Sequence, residues 1–417
     1  MSHIAVIGAG ITGITTAHAL LERGHTVTVI DRQPMPAMET SFANGGQLSA
    51  SNAEVWNSAA TVFKGLRWMA RRDAPLLLNP RPGWHKYSWL AEFLGAIPRH
   101  DINTVETVRL AIAARQHLFD IAAREGIDFD CETLGILHIY RNEASFTGAA
   151  RGNALVRQGG LDRYQVTPEE MRAIDPTLSG PLYGGYFTPS DSTGDICKFT
   201  RGLAAACVRR GAVLHLDRTV QAITANEHGV TITTSSLRDP RAEDVQNFGA
   251  AVICAGVGSR RLAAMVGDRV NVYPVKGYSI TVMLRDSASQ AAAPWVSLLD
   301  EDSKIVTSRL GADRFRVAGT AEFNGENRDI RADRIAPLVD WVRQLFPGVS
   351  VGEVLPWAGL RPMLPDMMPR VGAGRGRHVF YNTGHGHLGW TLSAVTAQMI
   401  SATIDQSLMA QTGSNAA

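Results

Sequence analysis

The chain has 417 residues, is 45% hydrophobic, and carries 41 Lys+Arg against 39 Asp+Glu for a formal charge of +2. That length supports about two to three domains around a large core. Near-neutral charge argues against a nucleic-acid binder that works by counterion release, and the 40 glycines follow no collagen-like period. The bases are 5 Lys and 36 Arg, an asymmetry that coding bias explains without phosphate recognition.

In chain order, residues 3–8 (HIAVIG) read as a buried strand, 11–23 as a helix ending near Gly24, and 26–31 as an alternating second strand. This is a β-α-β unit within about thirty residues. A Trp- and Arg-rich stretch fills 54–100. The next segment, 103–125, has helical spacing. It puts Val105, Val108, Ile112 and Phe119 on one stripe and Leu110, Leu118 and Ile121 on another, which predicts a helix buried on two faces. Residues 196–210 are helical with Gly211 at the C′ position, and 212–216 form a strand. Residues 219–225 and 229–234 form a hairpin, 235–247 a polar loop, and 250–254 a buried strand. Short alternating runs from 271 to 320 predict a mostly antiparallel sheet. Helix 332–345, strand 378–381 and helix 389–406 follow, and the final residues read as frayed.

Four cysteines, Cys131, Cys197, Cys207 and Cys254, form neither a C-x-x-C pair nor a metal-ligand spacing. No metal site is expected, and a reducing compartment fits. The N-terminus lacks the pattern of a signal peptide, and no run of about 18 apolar residues occurs. The expected location is the cytoplasm, with contact at the inner face of the cell membrane left open.

The expected architecture is an α/β Rossmann-type domain with an interleaved α+β substrate domain on an antiparallel sheet. Residues 1–53, 190–270 and 356–408 make the first domain, 54–189 and 271–355 the second, and 409–417 a flexible tail. The first turn carries a dinucleotide fingerprint, Gly8-Ala9-Gly10-Ile11-Thr12-Gly13. Gly8 permits the tight turn, Gly10 lets pyrophosphate approach the backbone, and Gly13 lets the helix pack on the strand. The helix start offers free N–H groups and a positive dipole end. Asp31 ends the second strand, where a carboxylate can bind ribose hydroxyls and disfavours a 2′-phosphate.

Four further segments, TSFANGGQLS (40–49), YPVKGYS (273–279), WAGLRPMLPD (357–366) and NTGHGHLGWT (382–391), accompany GAGITG. Together they resemble the flavin-dependent D-amino acid dehydrogenases, a group within the wider D-amino acid, glycine and sarcosine oxidase family. The motifs span residues 8 to 391. Two departures stand out: His387 occupies a position where Thr is more usual, and Gly45-Gly46 replaces a common Ala-Gly.

The resemblance implies non-covalent FAD. Substrate would lie between the flavin ring and the second domain's sheet. Gly8, Ala9, Gly10, Ile11, Thr12 and Gly13 would hold the pyrophosphate, with Asp31 and Arg32 at the adenosine end. Ser41, Asn44, Gly45, Gly46, Gln47 and Leu48 would run beside flavin and ribityl chain. Val220 would reach adenine through its backbone, and Ala255 and Gly256 would pass close by. Gly384, His385, Gly386, His387, Leu388, Gly389, Trp390 and Thr391 would bracket the isoalloxazine. The last loop also has a reading of its own, since a Gly-rich turn into a helix aims N–H groups at an acceptor. Such a positive end suits the negative charge of a reduced flavin. His385 is the candidate acid–base residue there, against a reading of both histidines as ordinary loop residues.

Arg361 is the main substrate candidate, because a guanidinium matches a carboxylate bidentately. Tyr273 and Tyr278 are the other substrate candidates, with core packing as the alternative. Lys276 reads as a solvated strand end. The implied reaction moves a hydride from Cα of a D-amino acid to flavin N5. The resulting imine hydrolyses to a 2-oxo acid and ammonia, and electrons pass to a quinone or another acceptor. The alternatives are an oxygen-using oxidase of glycine, sarcosine or a D-proline or hydroxyproline derivative, and an FAD-binding protein without turnover. Within 56–100, Trp56, Phe63, Trp68, Trp84, Tyr87, Trp89 and Phe93 alternate with Lys64, Arg67, Arg71, Arg72, Arg81, Lys86 and Arg99. That mixture suits a membrane headgroup interface or a packed cover over the site.

Overall fold

The structure is a computed structural model that describes residues 1–68, 75–237, 239 and 241–414. Strands His3–Ile7, Thr26–Ile30, Ala250–Ile253 and Val379–Thr383 are nearly continuous apolar runs. Such runs suit a parallel sheet covered on both faces. Its order is Arg370–Ala373, Val379–Thr383, Ala250–Ile253, His3–Ile7, Thr26–Ile30, Val213–His215, parallel except at the first edge. The strands expected to join the opening β-α-β unit therefore do so. Helices Ile11–Glu22, Ile196–Arg209 and Gly389–Ser414 supply one core beside it. The last helix runs through 409–414, where a flexible tail was expected.

One expectation needs correction here. Glu243–Phe248 is a strand pairing antiparallel with Val230–Ser236, not part of a loop. It is the edge of a three-stranded sheet and is largely exposed, so it lacks the apolar alternation that marks a half-buried strand. The helix His100–Glu125 buries residues of both expected stripes, Val105 and Val108 on one and Leu118 and Ile121 on the other. Val108 and Ala111 pack in one cluster, and Leu118, Ile121 and Ala122 in the core beside the parallel sheet.

The second sheet runs Val354–Met363, Tyr273–Met283, Arg314–Phe323, Ile305–Arg309, Ser297–Asp300, Ile136–Tyr140, Gly184–Thr188, Tyr164–Val166, with Leu76–Leu78 beside Arg314–Phe323. Most pairs are antiparallel; Ser297–Asp300 with Ile136–Tyr140 and the Leu76–Leu78 pairing are parallel. Val354–Met363 pairs with Tyr273–Met283 from Met363 to Val354. The strand bearing Arg361 thus lies in the second sheet, although the sequence placed 356 onward with the nucleotide-binding domain. Helix Ala332–Leu345 covers that sheet's far face with Leu338, Trp341 and Leu345.

Candidate active site

The first turn is built by contact limits. Gly8 has φ 120°, and a Cβ there would stand 2.5 Å from Cys254 O. A Cβ on Gly13 would stand 1.8 Å from Gly8 O. Gly10 caps the helix with no side-chain bond, and Ile11 N–H donates to Ser41 Oγ at 3.1 Å. Asp31 accepts from Ala9 N–H at 2.6 Å and Gln33 N–H at 2.7 Å. It ties the turn to the second strand and keeps lone pairs for a ribose hydroxyl. Arg32 is half-exposed and pairs with Glu39.

The loop 43–46 is pressed onto the second sheet. Ser279 Oγ donates to Ala43 O at 2.7 Å, Ser308 Oγ to Gly45 O at 2.7 Å, and Arg316 Nη1 to Asn44 O at 2.9 Å. A Cβ on Gly45 would meet Val306 at 2.6 Å, which gives the first glycine of Gly45-Gly46 a steric reason. Asn44 Oδ1 accepts from Gly46 N–H, and Gln47 Nε2 donates to Ser297 Oγ. Leu48 is buried in the core.

A third segment closes the ring. Met363 forms a bridge with His385, and Thr40 Oγ1 donates to Leu360 O at 2.7 Å. The strand carrying Arg361 is therefore fastened to both the Gly384–Gly389 turn and the 40–47 loop. The three segments enclose one cavity of ≈ 560 Å³. Its wall includes every fingerprint residue from Gly8 to Thr12, Asp31, Arg32, Ser41, Asn44 to Gln47, Val220, Ala255, Gly256, Gly384 to Thr391, and Arg361. Gly13 and Leu48 stand behind the wall. Gln47 Oε1, Thr320 Oγ1, His387 Nδ1 and Trp390 Nε1, all on wall residues, are buried without a hydrogen-bond partner. Glycines that cannot gain a Cβ, and polar atoms waiting for partners, fit a long polar ligand such as FAD.

Arg361 lies across Gly277: a Cβ at 277 would stand 2.5 Å from its Cζ. Its Nη1 donates to Thr320 O at 3.0 Å. Thr320 has φ 60° beside an irregularity in the pairing with Tyr273–Met283, and that bulge aims its carbonyl at the guanidinium. Among the described residues no carboxylate pairs with Arg361. Burial pushes its pKa down to about 10, so it stays cationic at neutral pH. Gly277→Ala should displace the guanidinium and raise KM for a carboxylate substrate about tenfold; unchanged steady-state kinetics would sink this placement.

Three site candidates spend their polar side-chain atoms on protein partners, although Tyr278 and His385 still border the cavity. Tyr278 is buried on the far face from Gly277 and Ser279, and its hydroxyl donates to Glu322 at 2.8 Å. Tyr273 is buried in an aromatic cluster with Trp89 and Phe323, and its hydroxyl accepts from Gly325 N–H. Strand alternation turns Tyr278 away from the face of Gly277 and Ser279, whereas Tyr273, on the same face as Gly277, is covered by Trp89 and Phe323. His385 is buried and its Nε2 meets Thr396 Oγ1 at 3.0 Å. Burial lowers its pKa to about 3, which favours the neutral ring at neutral pH. Lys276 is fully buried and bonds Asn327 Oδ1 at 2.7 Å, so it is no solvated strand end.

Sequence reading missed Thr320, Asn52, Glu301 and Lys304 as cavity residues; no motif marks them. Glu301 pairs with Lys304, and its other contact is His138 Nδ1 at 2.9 Å. Burial opposes its ionisation, but Lys304 and His138 hold its carboxyl below the usual range. His138 Nε2 meets Ser51 Oγ at 2.9 Å, completing a Ser-His-Glu chain that sequence reading did not find. Ser51 is buried and off the cavity wall, so no acyl group can approach it.

Residues 3–403 match the family described as FAD dependent oxidoreductase. The chain belongs to that family. It is 59% identical over 405 residues, 97% of each chain, to a protein of Mesorhizobium japonicum named D-amino acid dehydrogenase 3. It is 40% identical over 408 residues to a D-amino acid dehydrogenase of Paramagnetospirillum magneticum, covering 95% of this chain and 93% of that one. Among solved structures, glycine oxidase from Bacillus cereus has a TM-score of 0.72 at 22% identity, covering 97% and 95%. L-proline dehydrogenase from P. horikoshii has 0.74 at 16%, covering 97% and 93%. These two show the shared fold. The protein is thus an FAD-dependent oxidoreductase, as the motifs implied.

The cofactor loop also makes a pH prediction. Burial, aided at His387 by the Arg361 cation, lowers the pKa of His385 to about 3 and of His387 to about 4. Both rings fold neutral, so the unfolded chain takes up protons first as pH falls. Stability from these groups is flat above roughly pH 6.5 and declines from there toward pH 4. The melting temperature should fall over that window, and less so in a His385→Gln variant. A rise on acidification would contradict the burial of these rings.

Proposed function

We propose that this protein oxidises D-amino acids to 2-oxo acids and ammonia through an imine, and delivers the electrons to a membrane quinone. The observation that carries this reading is the Arg361 guanidinium, without a carboxylate partner among the described residues, in the same cavity as the dinucleotide turn. The two relatives named D-amino acid dehydrogenase support the choice of substrate. Bound FAD supplies the hydride acceptor. Arg361 would clamp the carboxylate and orient Cα–H. The helix start at Gly389–Thr391 would offer its positive end to charge that develops nearby. Burial holds His385 and His387 neutral, so neither is assigned as an acid, and the amine is taken to be unprotonated when the Cα–H is transferred. Anaerobic titration of the yellow protein with a panel of D- and L-amino acids, glycine and hydroxyprolines tests the proposal. Bleaching by D-amino acids is expected; bleaching by none of them would overturn it. Rapid peroxide formation in air would favour the oxidase reading instead.

The acceptor reading rests on the 56–100 stretch. On helix Trp84–Gly95, Trp84 (83% exposed), Tyr87 and Leu94 stand on one outer stripe, with Ile102 and Phe63 nearby in sequence and also exposed. Arg81 and Arg99 are exposed as well. Exposed aromatics with flanking bases suit lipid headgroups. Not all of the stretch contributes: Trp89 and Phe93 are core, and Lys86 is buried, its Nζ donating to Asn79 O and Arg81 O. The side chains of Lys64, Arg67, Trp68, Arg71 and Arg72 lie outside the described residues. Among those described, no helix is long and apolar enough to cross a membrane. The protein should sediment with anionic vesicles at low salt, and Trp84→Ala with Tyr87→Ala should reduce that binding severalfold. Equal binding by the double variant would remove this face from the proposal.

A further inference from the structure

Among the partnerless polar atoms on wall residues, His387 Nδ1 is an acceptor on a residue that feels the Arg361 charge. His387 sits in the 3-10 turn Gly386–Leu388. Its Nε2 meets Asn52 O at 3.1 Å. A carbonyl only accepts, so Nε2 carries the ring proton and Nδ1 presents a bare lone pair. Nδ1 is buried with no partner. The ring is packed on one side. One face stacks on Trp56, with centroids 5.0 Å apart and planes at 23°. The acceptor carbonyl is fixed, because Asp191 takes hydrogen bonds from Ala50 N–H and Ser51 N–H at 3.0 Å each, and Asn52 N–H donates to Ser49 Oγ. Trp56, Asn52, His387 and Arg361 all line the cavity. His387 lies close enough to feel the Arg361 charge.

A bound 2-amino acid brings a donor directly beside its carboxylate, and that donor is the amine. We propose that His387 Nδ1 accepts an N–H from the substrate amine, so that the Arg361–His387 pair recognises the 2-aminocarboxylate unit. The inference rests on the proposed function and deepens it. It makes His387 the residue that prefers amino acids over simple or 2-substituted carboxylates, by offering an acceptor that those ligands leave unpaired.

The test compares two ligands of like shape in the FAD-loaded protein. 2-Aminoisobutyrate has no hydrogen on Cα and so cannot be oxidised; pivalate carries a methyl in place of the amine. Binding is read from the flavin spectrum and by calorimetry. Wild type should prefer the amine ligand about tenfold. His387→Phe, which keeps the stack on Trp56, should reduce that preference to about unity while pivalate affinity holds. His387→Asn, whose Oδ1 falls near the Nδ1 position, should retain it. Persistence of the preference in His387→Phe overturns the proposal. So does equal loss of both ligands in both variants, which would mark His387 as structural. Loss of affinity confined to substrates with a side-chain hydroxyl would place the acceptor on the side chain and overturn the amine assignment. Arg361→Ala separates the two readings. If it weakens neither ligand, the carboxylate clamp fails, whatever the amine preference shows.

Discussion

Arg361→Ala lowers kcat/KM for D-amino acids by about 10²- to 10³-fold, mostly through KM, while the protein stays yellow and folded. A buried guanidinium paired with a carboxylate is commonly worth ~3–4 kcal/mol when one partner is removed. The free protein has no carboxylate on this cation among the described residues, only the Thr320 carbonyl at 3.0 Å. Its desolvation is therefore uncompensated until substrate arrives. A second, opposite effect follows. Arg361→Met, similar in reach but uncharged, should melt no earlier than wild type in the absence of substrate, although its activity is lost. Steady-state kinetics with thermal melts check both halves. Normal KM in the Ala variant, or a marked drop in melting temperature in the Met variant, would show that Arg361 is a structural residue.

Gly13→Ala yields protein that loses its flavin. The new Cβ would stand 1.8 Å from Gly8 O, well inside contact distance, and backbone cannot move aside as a side chain can. The helix must shift by about an ångström from a turn that Asp31 holds through Ala9 N–H. Phosphate then loses both the close backbone and the aligned helix start. FAD affinity should fall about 10²-fold, measured as visible absorbance of the purified protein and recovery of free FAD. A fully loaded Gly13→Ala protein would show that the turn does not carry the cofactor.

The extent to which the site could be read from sequence follows physical lines. The fingerprint was legible because its constraints are local: a strand, a tight turn and a helix start lie within a few residues of one another. Gly45, Gly46, Gly384 and Gly386 were legible as glycines near a cofactor, but their cause is distant. Val306, Ser308, Leu364 and Met363 occupy the space a Cβ would take. Tyr278 misled because a motif says which residues are near a site, and strand alternation decides which side chains enter it. Lys276, two residues away, turns to the same buried side and meets Glu322 at 3.4 Å.

By itself the sequence determined the parallel nucleotide-binding sheet and its glycine turn, and it named Arg361 as the candidate cation for a carboxylate. Each depends on residues close in the chain or on a residue type with one suitable chemistry. Only the tertiary structure decided that the Arg361 strand belongs to the second sheet, and that Gly277 and the Thr320 bulge hold its guanidinium. It also decided that His385 Nε2 is taken up by Thr396 while His387 Nδ1 has no partner. Those outcomes depend on strand register and on which polar atoms burial leaves without partners, and both are set by contacts between segments hundreds of residues apart.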